Sequence, residues 1–395
     1  MSSPTPLPDL AIPPSQSTVS VSAINTTGTI RGLPAGQFFE PKIEGHDYIA
    51  APIYAFLIKH PTLNRSLLWD LGMRKDWQNM SPFLLNALMG GFPDVKLDVP
   101  KDVHEILTEN GVDANRVEGI IWSHFHFDHV GDPSTFGPRT KLIVGPGVQG
   151  AIFPGWPKNQ QSPILETDYT GREVLELDFE SGNGGTFKTL QIGRFKALDY
   201  FGDGSFYLLD SPGHAVGHLC ALGRVKSSTE KNSFVFLAGD AIHHVGEIRP
   251  SKYLPLPENI SPSPFAPVSS GCSSSCPGSI FQSLIPHPEG RTSTTFYEPS
   301  RLDPEASFHH DVDELLVTVS KVQEADCQDE ILVCAAHDES LLEVIDFFPN
   351  GTLDDFAEKG WAKQAKWRFL RDFAKAVDRE CEGDVKFPNE QWGPR

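Results

Sequence analysis

Short apolar runs, punctuated by Gly- and Pro-bearing turns, dominate the first half of this chain and recur in the second. Residues 53–58 and 66–70 read as two strands around a turn at 61–64. Residues 102–110 carry helical periodicity and stop at Gly111. Residues 117–122 and 141–144 read as the next strands, followed by apolar runs at 206–209, 219–222, 234–238 and 331–335. Helical patterns appear at 313–324, 340–348 and 362–379. This order predicts an α/β chain with two packed sheets and helices outside them.

Between these elements lie three stretches of different character. Residues 1–30 are rich in Pro, Ser and Thr, which predicts a flexible arm or a strap on the surface. Residues of about 150–200 mix Pro, Gly and aromatics, and residues of about 250–305 are rich in Pro and Ser. Both are expected to be irregular insertions. A loop as long as the second is uncommon in a compact domain and often functional.

Composition narrows the function. The 395 residues carry a formal net charge of −19, which opposes binding to nucleic acid or to an anionic membrane surface. Neutral or cationic small molecules suit such a surface better. Six cysteines in 395 residues do not make a disulfide framework. Cys272 and Cys276 bracket three serines. They are open to reading as a metal clip, a redox pair, a local loop staple or a chance feature of a Ser-rich loop. No basic stretch followed by an apolar one opens the chain, and no run reaches about 18 apolar residues. The expectation is a cytoplasmic protein, its oligomeric state open.

The densest chemistry is Ser123-His124-Phe125-His126-Phe127-Asp128-His129, directly after the 117–122 run. On an extended strand His124 and His126 share one direction and Phe125 and Phe127 the other. The phenylalanines are therefore expected in the core. A turn can return Asp128 and His129 toward the same spot. Imidazoles clustered this tightly repel one another when protonated, and burying them requires partners. Zn, Fe, Ni and Cu all accept imidazole, with carboxylate as a harder companion. More ligand candidates stand after apolar runs: His214 after 206–209, Asp240 after 234–238 and His337 after 331–335.

Taken together these residues resemble the metallo-β-lactamase-fold hydrolases. That family's H-x-H-x-D-H pattern, followed by a distant His, an Asp and a His, is matched by His124, His126, Asp128, His129, His214, Asp240 and His337. An early Asp-x-Gly is matched by Asp70-Leu71-Gly72. The resemblance spans roughly residues 50–345. It implies a four-layer αββα sandwich with an inserted cap loop. Residues 31–395 would form a single such domain, with a helical extension over about 350–395.

The resemblance also implies two Zn2+ per chain. His124, His126 and His214 would hold one, Asp128, His129 and His337 the other, and Asp240 would bridge them. It implies hydrolysis of a carbonyl by metal-bound hydroxide. Residues 212–218 (Pro-Gly-His-Ala-Val-Gly-His) are similar to the P-G-H-x-x-G-H segment of the N-acyl homoserine lactonase-like branch. In that pattern His214 is the ligand, and His218 is expected to make a structural hydrogen bond. Lactonases of that branch carry a Tyr three residues after the bridging Asp, where this chain has His243. His243 is then a candidate to polarise a carbonyl or donate a proton, or else a supporting residue. Asp128 is the other candidate for moving the leaving-group proton, and Asp338 a candidate to orient a ligand. The expected activity is opening of a lactone or lactam ring of a small metabolite or xenobiotic, such as a cyclic carbamate or γ-lactam. Thioester hydrolysis of the glyoxalase or polyketide-releasing type is the alternative. A di-iron redox protein fits less well, because His126 stands where such relatives carry Glu. Tyr253, Phe265 and Phe281 in the 250–305 block are candidates to line a pocket for a bulky ligand.

Overall fold

Strands buried on both faces read as continuous apolar runs. That is the pattern here. In the strand Phe206–Asp210, Phe206 and Leu208 face one core while Tyr207 and Leu209 face another. Asn232–Gly239 repeats this, with Val235 and Leu237 on one side and Phe234 and Phe236 on the other.

The computed structural model describes residues 5–49, 51–228, 232–269, 274–290, 292–302 and 308–382. Seven strands form one sheet, in the spatial order Lys96–Asp98, Ser20–Arg31, Pro52–His60, Arg65–Trp69, Gly119–Ile121, Lys141–Val144 and Val174–Glu176. Six form the second, in the order Ile331–Ala335, Asn232–Gly239, Leu219–Ser227, Phe206–Asp210, Phe195–Asp199 and Lys188–Ile192. The inner faces meet through residues such as Tyr54, Phe56, Trp69, Leu208, Val235 and Leu237. Helix Val103–Glu109 covers the outside of the first sheet with Val103, Ile106 and Leu107. Its start is fixed by a capping box: the Glu105 N–H donates to Asp102 (2.7 Å), and the Asp102 N–H to the Glu105 carboxylate (3.2 Å). Helix Val312–Asp326 covers the second sheet with Leu315, Val319 and Val322. The result is the helix–sheet–sheet–helix sandwich of the metallo-β-lactamase fold.

Strand direction positions the site. Arg65–Trp69 and Gly119–Ile121 run parallel. In the other sheet Asn232–Gly239 and Ile331–Ala335 are parallel. Phe206–Asp210 is antiparallel to Leu219–Ser227, itself antiparallel to Asn232–Gly239, so it points the same way as these two. Within each sheet, therefore, the candidate ligands leave at one edge.

Several expectations need correction. Residues 20–31 are not a flexible arm. They form the strand Ser20–Arg31, paired with Pro52–His60 and Lys96–Asp98. Val21 and Ala23 enter the inter-sheet core and Ile24 the outer one. Ser and Thr lower hydropathy without excluding a strand, and Thr favours one. Residues preceding it are tied down too: the Gly193 N–H donates to the Leu10 carbonyl (2.7 Å), and the Val19 N–H to the Arg224 carbonyl (2.9 Å). The 150–200 block contains a hairpin, Lys188–Ile192 with Phe195–Asp199, turning at Gly193 with φ +53°. Residues 340–348 are largely not helical; only Glu339–Leu341 forms a 3-10 turn. The C-terminal stretch is a short helix, Trp361–Ala365, followed by 3-10 turns to Val377. Helix Pro82–Gly91, opened by a Ser81 cap, was not anticipated. Among the described residues no helix is long and apolar enough to cross a membrane.

Candidate metal centre

Asp70 anchors the construction. It follows Arg65–Trp69 with φ +58°. Its carboxylate accepts from the Ser123 N–H (2.7 Å), the Ser123 hydroxyl (2.7 Å) and the His129 Nδ1–H (2.9 Å). With its hydrogen given to Asp70, the Ser123 hydroxyl oxygen accepts from His124 Nδ1–H (3.1 Å). His337 Nδ1–H donates to the Pro52 carbonyl (2.9 Å). These bonds place a proton on Nδ1 of each imidazole, so that Nε2, the nitrogen facing the centre, carries the lone pair when the ring is neutral. A ring nitrogen tied to an acceptor is the usual support of a metal-binding histidine.

The ring nitrogens and carboxylate oxygens converge in two groups. His214 Nε2 is 3.2 Å from His124 Nε2 and 3.0 Å from His126 Nδ1. His337 Nε2 is 3.4 Å from the Asp128 carboxylate, and His129 Nε2 is 3.9 Å from it. Asp240 stands between the groups. Its Oδ1 faces His129 Nε2 (3.2 Å) and His337 Nε2 (3.5 Å). Its Oδ2 faces His214 Nε2 (3.7 Å), His124 Nε2 (3.8 Å) and His243 Nε2 (3.3 Å). All seven candidate ligands are thus brought together.

The electrostatics favour cations here. Burial, reinforced by neighbouring imidazoles, holds His124 and His214 well below the ordinary histidine range. Burial takes His126 down to about 4. Neutral imidazoles are what a metal ion requires. Around the carboxylates the sign reverses. Burial disfavours a charge on His337, but Asp240 and Asp128 outweigh it and push the imidazole up to about 10. The same contest raises His129 well above its usual value, with Asp70 contributing. The carboxylates therefore draw positive charge into this part of the site, and a divalent cation supplies such charge. Asp240 Oδ1 and His129 Nε2 are buried without a hydrogen-bond partner. Such orphaned atoms are costly unless something binds them. The donor set fits divalent metal ions.

A cavity of about 670 Å3 opens onto this centre. Its wall is built from Leu33, Phe38 and Ile49, helix Pro82–Gly91, Phe125, Phe127 and Phe308. Phe127 is buried in one core and Phe125 packs against another, as expected, but both also line the cavity, because the strand ends at Ile121 and alternation fails before the cluster begins. The expectation for the 250–305 block needs correction. Phe265 and Phe281 do not line the cavity. They stack on each other (5.9 Å between rings) and are buried against the second sheet's outer core. Tyr253 does not reach the cavity either. Among the described residues of the 250–305 block none lines the cavity.

Other candidates find plain positions. His218 Nε2 accepts from the Asp240 N–H (3.0 Å), while its Nδ1–H donates to the Ser211 carbonyl (2.9 Å), which fixes the backbone beneath Asp240. Asp338 caps the 3-10 turn by accepting from the Ser340 N–H (2.9 Å). Cys272 lies outside the described residues. Two residues passed over in the sequence border the site. Phe38 stacks on Phe308 (4.7 Å, 14°) and lies 4.8 Å from the His243 ring. His309 touches His214.

The metallo-β-lactamase superfamily model matches residues 50–267. The chain belongs to that superfamily. A γ-lactamase of Fusarium pseudograminearum, FDB1, is 42% identical over 370 residues, 93% of this chain and 85% of its own. The metallo-hydrolase mfmC of Annulohypoxylon moriforme is 42% identical over 375 residues, 95% of this chain and 92% of its own. An N-acyl homoserine lactonase, AttM, of Agrobacterium fabrum is 27% identical over 142 residues, 35% of this chain and 49% of its own. Among solved structures, a B. thuringiensis AiiA variant with N-decanoyl-L-homoserine bound at its active site superposes with a TM-score of 0.50. That match has 14% identity and covers 85% of this chain and 99% of the other. It bears on the superfamily fold alone.

Proposed function

We propose that this superfamily member is a dinuclear zinc hydrolase that opens the ring of a neutral, largely apolar lactam or lactone. The observation that carries the reading is the split of Asp240: each carboxylate oxygen faces its own group of imidazole nitrogens. His124, His126 and His214 would hold one ion, and Asp128, His129 and His337 the other. Bound ions of this kind lower the pKa of water toward about 7 and polarise a carbonyl.

The chain's own groups supply the rest. His243 presents Nε2 toward the Asp240 carboxylate (3.3 Å) from the cavity lining. There it can hydrogen-bond to a substrate carbonyl or hand a proton to the departing nitrogen or oxygen. Asp128 also lines the cavity, its side chain 11% exposed and 3.4 Å from His337. It is the second group placed to carry that proton. A tethered leaving group stays within reach of both. Outside the imidazole–carboxylate cluster, Gln37 is the one polar side chain among the described lining residues. Such a wall selects uncharged rings with apolar substituents. The FDB1 and mfmC relationships support a metal-dependent hydrolase with lactam chemistry.

The test is a panel of one lactone, one lactam and one acyl thioester, given to zinc-loaded wild type and to His126→Ala. Ring opening of the lactam or lactone by wild type, and none by His126→Ala, is expected. Full activity in His126→Ala, or thioester cleavage alone, would remove the proposal.

A further inference from the structure

We infer that His309 is a positioning residue, holding the ligand His214 in the one tautomer able to bind a metal. The inference rests on the zinc reading above. Three of the imidazoles at the centre are held by oxygen acceptors: His124 by a hydroxyl, His129 by a carboxylate, His337 by a carbonyl. Among the described residues His214 has no such oxygen. Its Nδ1 lies 3.2 Å from Nδ1 of His309. Two imidazole nitrogens form a hydrogen bond only if one carries a proton and the other does not.

The other side of His309 decides which. Its Nε2 is 2.8 Å from the Phe38 carbonyl oxygen. A carbonyl only accepts, so His309 Nε2 carries the proton, and in the neutral ring Nδ1 is left as an acceptor. His214 Nδ1 must then be the donor. Its Nε2 keeps a lone pair, aimed at the point it shares with His124 and His126. The opposite tautomer would set an N–H against those two nitrogens.

The contact is built rather than incidental. His309 is buried at 5% exposure. Backbone bonds fasten its segment to the His214 turn on the next two residues: the His310 N–H donates to the His214 carbonyl (2.9 Å), and the Asp311 N–H to the Gly213 carbonyl (2.8 Å). Phe38, whose carbonyl orients His309, also contributes its ring to the cavity wall. One residue thus serves both the substrate pocket and the support of His214.

His309→Gln and His309→Ala test this. The Gln amide can donate to Phe38 and accept from His214, whereas Ala can do neither. Zinc affinity is measured by competition with a chromophoric chelator, and zinc content by elemental analysis. His309→Ala should weaken one of the two zinc sites by about 10- to 100-fold, and His309→Gln should restore most of the loss. Ring-nitrogen NMR of wild type gives a readout that needs no variant: His214 should be protonated at Nδ1 and bare at Nε2. An Ala variant with both zinc affinities intact, a Gln variant as weak as Ala, or His214 protonated at Nε2 in the zinc-free protein would each overturn the inference. Wild type that takes up no zinc would instead overturn the metal reading, and this inference with it.

Discussion

Asp70→Asn is the sharpest perturbation of the centre, because it changes hydrogen-bond direction and charge while leaving shape almost unaltered. Asn tolerates the positive φ that Asp70 adopts. Asp70 presents two acceptors, one oxygen to the Ser123 N–H and the other to His129 Nδ1–H and the Ser123 hydroxyl. The amide offers one acceptor and one donor. With its oxygen toward Ser123, its NH2 meets the His129 Nδ1–H. His129 must then move its proton to Nε2 and lose the lone pair facing Asp240. With the amide flipped, its NH2 meets a buried backbone N–H, and leaving that donor unsatisfied costs about 1–3 kcal/mol. Either way the expected loss is roughly 10- to 100-fold in zinc affinity, concentrated at the site His129 helps to form. Chelator competition on zinc-loaded wild type and variant measures it, and melting of the zinc-free proteins separates binding from folding. Wild-type affinity at both sites in a folded Asp70→Asn variant would refute the assignment of tautomers from these bonds.

Other outcomes follow from the same geometry. His243→Phe keeps the ring against Phe38 and removes both nitrogens; turnover should fall while zinc content stays at the wild-type value, and an unchanged rate would make His243 scaffold only. Phe308→Ala removes the ring stacked between Phe38 and Phe92. An aromatic pair is worth about 0.5–1.5 kcal/mol, so KM for an apolar substrate should rise about 2- to 10-fold; an unchanged KM would place substrate elsewhere. Asp168 is pushed up to about 7 by burial; Arg74 stands 3.6 Å away but is shared with Asp76 and Asp132. Its folded pKa exceeds its unfolded one, so stability is lost as pH rises between them. Asp168→Asn should therefore melt higher than wild type at pH 8, with the gap closing toward pH 4; equal melting at both pH values would contradict the shift.

Much of the framework was legible because burial on both faces writes continuous apolar runs. The candidate ligands stood out because four of them crowd into six positions and the others each follow a strand. The pocket was not. His309 is a lone histidine before a helix cap, with no spacing that marks it, and its role depends on a carbonyl at Phe38, far away in sequence. Helix Pro82–Gly91 did leave a signal, Ser81 followed by Pro82 and an apolar run. The strand Ser20–Arg31 was hidden by its serines and threonines, which lower hydropathy as disorder does. The Pro- and Ser-rich 250–305 block looked like a lid, yet Phe265, Phe281, Phe296 and Tyr297 anchor it into the core.

The central claim is that seven convergent side chains hold the cations on which ring hydrolysis depends. Chelator-treated protein should be titrated with zinc while the opening of a lactam or lactone ring is followed. The account predicts no turnover at the start, a rise to a plateau at two equivalents per chain, and no rise for His126→Ala. Full turnover by the metal-free protein would contradict it.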